Sequence, residues 1–425
     1  MPTPPSMPFP IPFPFPNILS SPFEPQLDSS QANERMDYLT KVVVLFLFHL
    51  YFGWLSLISA STISGGEVIN FGHRQASWAP IMQTSVNLSD VSSIMSFFEF
   101  RTLDPEGAIF YGDTKEGRDW FVLSLRDGIP EMQIGKANIL VSVKGGPKLN
   151  DGAWHNLELR NDGKYVVLEV NNKVELVVGM ESAETEDVLT GIIRLGLGGM
   201  LVDPKRLLHP FKPEMDGCIR GGMWLNLSTL WETDPSWELR PCFPEIKKGS
   251  YFPGSGLAVF NTSDLPGVET VEKGITIEVY GSFQGTLLSL QSPGFEYVLP
   301  KYEGYQENKD LTIELKEGTG SVNTALPLEP TKLTLNILKH SLTVNSNTVV
   351  EDESLDLLSR WREGMLLAFG GVPGETKDTE SSHHLKGCLE KILIQGEDID
   401  LDHALFKHKS VSSHSCPAKA INELT

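Results

Sequence analysis

An all-β architecture of two tandem β-sandwiches follows from three observations on this sequence. Apolar and polar residues alternate with a two-residue period over short runs. Turns rich in Gly, Pro, Asn and Asp separate those runs, and no long apolar stripe of helical period interrupts them. The second half of the chain then repeats the plan of the first. Strands of this length and spacing read as an antiparallel sandwich or jelly roll.

The run from Phe98 to Ile134 carries the pattern most densely. Phe98 and Phe100 point one way and Glu99 and Arg101 the other, as in a half-buried strand. Asp104-Pro105-Glu106-Gly107 is a turn signature, because Pro presets φ and Gly permits positive φ. Ala108–Tyr111 is the next strand, ended by Gly112-Asp113, and Trp120–Leu125 follows. Asp127-Gly128 is a hairpin signal leading into Glu131–Ile134. Further strands are expected at Asn138–Val143, Trp154–Arg160, Tyr165–Val170, Val174–Val178 and Ile192–Leu197, with the block closing at Asp216-Gly217-Cys218-Ile219. In the second block, Leu333-Thr334-Leu335 answers Leu157-Glu158-Leu159, and Phe369-Gly370-Gly371 followed by Gly387-Cys388 answers Leu197-Gly198-Gly199 followed by Gly217-Cys218. This places a leader in residues 1–60, a first domain in 61–243 and a second in 244–425.

Within the leader, residues 1–35 are first Pro- and Phe-rich and then polar, a composition that forms neither helix nor central strand. Val42–Ile58, preceded by Lys41 and followed by Ser59-Ala60-Ser61, reads as a signal peptide cleaved soon after Ala60. It is too short and too interrupted for a comfortable membrane span, so none is expected in the mature chain. Met1 and Met36 both remain possible starts.

A net charge of −20 and a pI near 4.9 argue against nucleic acid, heparin-like polymers and anionic membranes as partners, which require basic patches. Four cysteines allow three connectivities, and their clustering favours Cys218–Cys242 and Cys388–Cys416. Paired disulfides fit a secreted, extracellular chain. Asn87, Asn226 and Asn261 head N-x-S/T sequons and are candidate glycan sites. The sequence carries no G-x-S-x-G elbow, H-E-x-x-H motif, phosphate loop or dinucleotide fingerprint, and no enzyme is expected. Read on their own, Asp104 and Glu106 form either a hard-oxygen Ca²⁺ turn or a plain β-turn. Ser96, Asp119 and Lys136, at strand ends, read either as surface residues or as the rim of a hole between sheets.

FFEFRTLDPEGAIFYGDT, DWFVLSLRDGIPEMQI, LNDGAWHNLEL, RLGLGG and MDGC, with FGGVPGE, LKGCL and HSCP in the second block, resemble the tandem laminin G-like domain family, and within it the steroid-binding members. The resemblance implies two laminin G-like jelly rolls after a signal peptide. It also implies a plasma carrier that binds androgens and estrogens in a pocket of the first domain. Ser96 matches the serine that bonds the oxygen of steroid ring A, Asp119 the aspartate that accepts from the 17-hydroxyl, and Phe121 the phenylalanine packed on the rings. Lys136 stands where the family has an asparagine, and Asn161 and Ile193 where it has methionines, so ligand preference is expected to shift. Ala137 and Gly191 replace the histidines of a secondary zinc site, which is therefore expected to be absent. Asp104 through its side chain, and Glu106 and Glu214 through their carbonyls, match a structural Ca²⁺ site. A homodimer formed through the first domain is implied as well. The alternative is an adhesion or receptor-binding module of the same fold without a steroid ligand.

Overall fold

The computed structural model describes residues 68–72, 79–90, 95–136, 139–161, 165–179, 191–224, 232–233, 240–292, 295–302, 310–315, 322–325, 332–374 and 384–418. The expected signal peptide, Asn226 and Ala137 lie outside the described residues.

The first half forms β1 (Val68–Asn70), β2 (Met82–Asn87), β3 (Met95–Thr102), β4 (Gly107–Thr114), β5 (Asp119–Arg126), β6 (Ile129–Lys136) and β7 (Ile139–Lys144). It continues with β8 (His155–Asn161), β9 (Tyr165–Val170), β10 (Lys173–Gly179), β11 (Ile192–Leu197), β12 (Gly217–Trp224) and β13 (Glu232–Thr233). Two antiparallel sheets result. One is ordered β1-β12-β3-β8-β9-β10, the other β13-β2-β11-β4-β5-β6-β7. Strand alternation turns Phe98, Phe100, Leu157 and Leu159 of the first sheet toward Phe110, Leu123, Met132 and Leu195 of the second, and these build the core. The Asp127-Gly128 turn has positive φ at both residues (58° and 77°), as a tight hairpin requires.

The second half repeats the arrangement with β14 (Ile246–Lys248), β15 (Ser250–Pro253), β16 (Ala258–Asn261), β17 (Ile275–Ser292), β18 (Phe295–Tyr302), β19 (Asp310–Leu315) and β20 (Val322–Ala325). Then come β21 (Lys332–Ile337), β22 (Ser341–Val344), β23 (Asn347–Glu351), helix α1 (Leu357–Gly364), β24 (Leu366–Phe369), β25 (Lys386–Ile394), β26 (Glu397–Asp398), β27 (Phe406–Lys407) and β28 (Ser415–Pro417). The 18-residue β17 crosses from one layer to the other. Its first part pairs with β21 and β25, its second with β18 and β24. In the first half the same crossing is divided into β3 and β4 around Asp104-Pro105-Glu106, since Pro cannot donate to a ladder.

Two expectations need correction. The strand expected to end at Gly112-Asp113 continues to Thr114. Gly112 stays in the ladder, paired with Leu195 on one side and Phe121 on the other, and a Cβ there would meet the Phe121 ring at 2.3 Å. Asp113 stays because its buried carboxylate is bonded by Tyr111 and Arg194. Helix α1 has no counterpart in the strand pattern. It is capped by Asp356 and buries Leu357, Leu358 and Trp361 in the second core.

Both expected disulfides are formed, Cys218–Cys242 and Cys388–Cys416, with Cα separations of 6.1 and 5.8 Å. Among the described residues, no helix is long and apolar enough to cross a membrane.

Candidate functional site

Register collects distant residues into rows at one end of the first sandwich. Ile193 pairs with Thr114, Thr114 with Asp119, and Lys136 with Ile139. Extending the β5–β6 register one residue beyond Trp120–Gly135 brings Asp119 and Lys136 to the same end of that ladder. The next inward-facing row runs Leu195, Gly112, Phe121, Ile134. Alternation along β5 places Asp119 and Phe121 on the same face as Leu123 and Leu125, which lie in the core.

Ser96 comes from the facing sheet. It lies near the start of β3, 2% exposed, in a row with Leu159 and Trp224. It shares its face with Phe98 and Phe100. Phe98, Phe110 and Phe121 form an aromatic chain across the sandwich, with centroids 6.2 and 5.7 Å apart. Polar groups thus enter an otherwise apolar interior from both sheets, with Phe121 one row inward of Asp119. Asn161 ends β8 opposite Val166, and Ile193 is buried in the core.

A second polar cluster forms at the corner between β3 and β4. Asp104 is buried; its Oδ1 accepts from Glu106 N at 3.1 Å and its Oδ2 from Asp216 N at 2.9 Å. Glu106 Oε1 accepts from Lys212 N at 2.7 Å. The Glu214 carbonyl lies so close to Gly107 that a Cβ there would stand 2.6 Å from it. The cluster is completed from the second half of the chain. His414 Nε2 lies 3.0 Å from Asp402 Oδ2 and 3.5 Å from Asp104 Oδ1. Ligand atoms of Asp104, Asp402 and His414 all fall within 4.8 Å of one another, close enough to hold a metal ion.

Burial pushes Asp104 up to about 8, with the neighbouring carboxylates adding to the rise and His414 opposing it. Burial works against a charged His414 too, yet Asp104, Asp402 and Asp400 together hold it protonated, at about 10. Asp402 and His414 were not legible in the sequence, apart from the position of His414 two residues before Cys416, whose disulfide anchors that end.

Beside this cluster, Asp216 fastens the two halves together. It pairs with Arg240 and accepts from Ser412 Oγ and, at 2.8 Å, from Ser413 N. Arg101 reaches the carbonyl of Pro244 at 2.8 Å and stacks on Trp154. Of the sequons, Asn87 is exposed at the end of β2, and the Asn261 side chain caps the next turn by accepting from Ser263 N. His155 is buried and bonded to Asp151 and Asn171.

The Laminin G domain family matches residues 100–229. Sex hormone-binding globulin of Rattus norvegicus is 34% identical over 81% of this chain and 85% of that protein. The Homo sapiens protein of the same name is 31% identical over 80% and 84%. Among solved structures, domains LG4-5 of the mouse laminin alpha1 chain superpose with a TM-score of 0.58 at 18% identity, over 85% of this chain and 96% of that one. That likeness supports the fold alone. The chain belongs to the sex hormone-binding globulin family.

Proposed function

We propose that this protein is a secreted, non-enzymatic plasma carrier that binds androgens and estrogens inside the first sandwich and limits their free concentration. The observation that carries this reading is the row geometry: Ser96 from one sheet, Asp119 and Lys136 from the other, in an apolar interior lined by Phe121. A steroid is a rigid apolar slab with a polar atom at each end. An apolar slot with one polar group at each end gives both affinity and orientation. The Ser96 hydroxyl can donate to a 3-keto oxygen or accept from a 3-hydroxyl. Asp119 accepts from a 17-hydroxyl, and Lys136 either donates to a 17-oxygen or holds the Asp119 carboxylate in place. Asn161 and Ile193 shape the wall and, with Lys136, the ranking of ligands.

Structural Ca²⁺ belongs to the same reading, whereas a secondary zinc site does not, since Gly191 and Ala137 offer no ligand. The corner fits a hard cation. Asp104 and Asp402 would supply carboxylate oxygens, and on this reading Glu106 and Glu214 would add their carbonyls. Bound there, the ion would neutralise carboxylates that otherwise lean on His414. Residues 61–243 then form the steroid-binding domain, through which the homodimer pairs, and 244–425 a second domain that closes the calcium corner.

Equilibrium binding of labelled dihydrotestosterone and estradiol to the calcium-loaded protein tests the proposal. Saturable binding lost on Phe121→Ala is expected. A folded protein that binds neither steroid rejects it. Binding of a protein partner that maps to exposed loops and survives changes at Phe121 and Asp119 favours an adhesion module instead.

A further inference from the structure

Residues 199–213 cross the outer face of the β4–β5–β6 sheet as a strap. Met200, Val202, Leu207 and Phe211 are buried there against Ala108, Tyr111, Trp120 and Val122. Asp203 caps the single turn Pro204–Arg206 by accepting from Lys205 N, which fixes the backbone that carries Arg206. Arg206 Nη1 then donates to the Gly117 carbonyl at 2.6 Å, and Nη2 to the Arg118 carbonyl at 3.3 Å. These two carbonyls lie immediately before Asp119. The turn they belong to is not one the chain adopts freely, because Glu116 has a φ of 56° and Gly117 one of 84°.

The other arm of the hairpin is held from the same side. Arg194 makes a two-pronged bond to Asp113, both contacts at 2.7 Å, and Tyr111 Oη donates to the same buried carboxylate at 2.6 Å. Trp120, next to Asp119, is pinned under the strap; its indole lies so close over Gly135 that a Cβ there would meet it at 2.5 Å. Asp119 and Trp120 point to opposite faces of β5. What grips the hairpin from outside therefore sets where the Asp119 carboxylate stands inside.

Building on the steroid reading above, we infer that Arg206 is a positioning residue for the end of the slot that meets the 17-oxygen. Through the Gly117 and Arg118 carbonyls it fixes the turn that presents Asp119, without touching ligand itself. The arginine is exposed, with one bond part-buried and the other open to solvent, so the expected effect is selective and modest.

The test compares two probes on the full-length, calcium-loaded protein: dihydrotestosterone, and its analogue lacking the 17-oxygen. Arg206→Ala is expected to weaken dihydrotestosterone roughly three- to tenfold and to leave the 17-deoxy analogue within about twofold, with Arg206→Lys recovering part of the loss by keeping one donor. Amide exchange across residues 115–119 is expected to quicken in Arg206→Ala alone. Equal weakening of both probes, or no change in either, overturns the inference while leaving the steroid reading standing. Failure of the unaltered protein to bind either probe rejects the steroid reading and this inference with it.

Discussion

Phe121 in the first sandwich lies against Gly112, whereas the matching rung of the second sandwich is filled by Leu290, which is 2% exposed. The match follows from the ladders. Gly198 N donates to Ile109 O and Phe110 pairs with Leu197, just as Gly370 N donates to Leu287 O and Leu288 pairs with Phe369. The facing sheets agree in the same way. Asn171 N bonds Asn156 O as Asn345 N bonds Thr334 O, and this sets Ser96 opposite Leu159 where the second sandwich has Ile275 opposite Ile337. One plan thus gives two interiors. The second has Ile275 and Leu290 at the two positions where the first places the Ser96 hydroxyl and Gly112, the latter covered by the Phe121 ring. A close-packed core has no room for a ligand unless small or polar residues are set into it, and on the proposed reading these are Ser96 and Gly112 of the first sandwich.

The corners differ as well. β17 runs unbroken through the second, while the first is interrupted by the turn that carries Asp104. The interruption creates the corner that holds Asp104, and the second sandwich contributes Asp402 and His414 to that cluster from its C-terminal segment rather than from its own corner.

The strongest way to break the comparison is to make the first interior like the second. Gly112→Leu is expected to abolish steroid binding by expelling the Phe121 ring, with thermal unfolding reporting whether the sandwich survives; undiminished affinity would show that the slot lies elsewhere. The converse change, Ile275→Ser, is expected to cost about 3 kcal/mol of stability through lost burial and an unpaired hydroxyl. It should confer no steroid binding on the second sandwich, as urea unfolding and ligand titration would show.

At the corner, Asp104→Asn is expected to remove most of the stabilisation that calcium gives, about 2.7 kcal/mol at an ion concentration one hundred times Kd. Differential scanning calorimetry with and without chelator reads this directly. Ser96→Ala leaves a steroid oxygen without a partner and is expected to cost about 1–3 kcal/mol of binding, with little change in unfolding temperature. The smallest effect is expected for Lys136→Asn. A steroid panel should show a changed order between 17-hydroxy and 17-keto ligands, and an unchanged order would remove Lys136 from the slot.

The alternating runs and the turns were legible because strand period and turn chemistry are local. Asp127-Gly128 needs only its own φ angles to make a hairpin, and the cysteine clusters already favour the bridges observed. Ser96, Asp119, Phe121 and Asp104 came from motif likeness, since nothing in their immediate neighbours distinguishes an inward polar residue from a solvated one.

Tertiary structure alone decided what stands beside what. The row that joins Ile193 to Thr114 and Asp119 is set by the long-range pairing of β11 with β4 together with the β4–β5 hairpin. The persistence of β4 through Gly112 rests on its pairing with β11 and β5, and the Phe121 ring leaves no room there for a larger residue. The meeting of Asp104 with Asp402 and His414, and the grip of Arg206 on the turn before Asp119, join residues far apart in the chain. Local alternation specifies which face a residue takes; only packing and register specify its neighbours on that face.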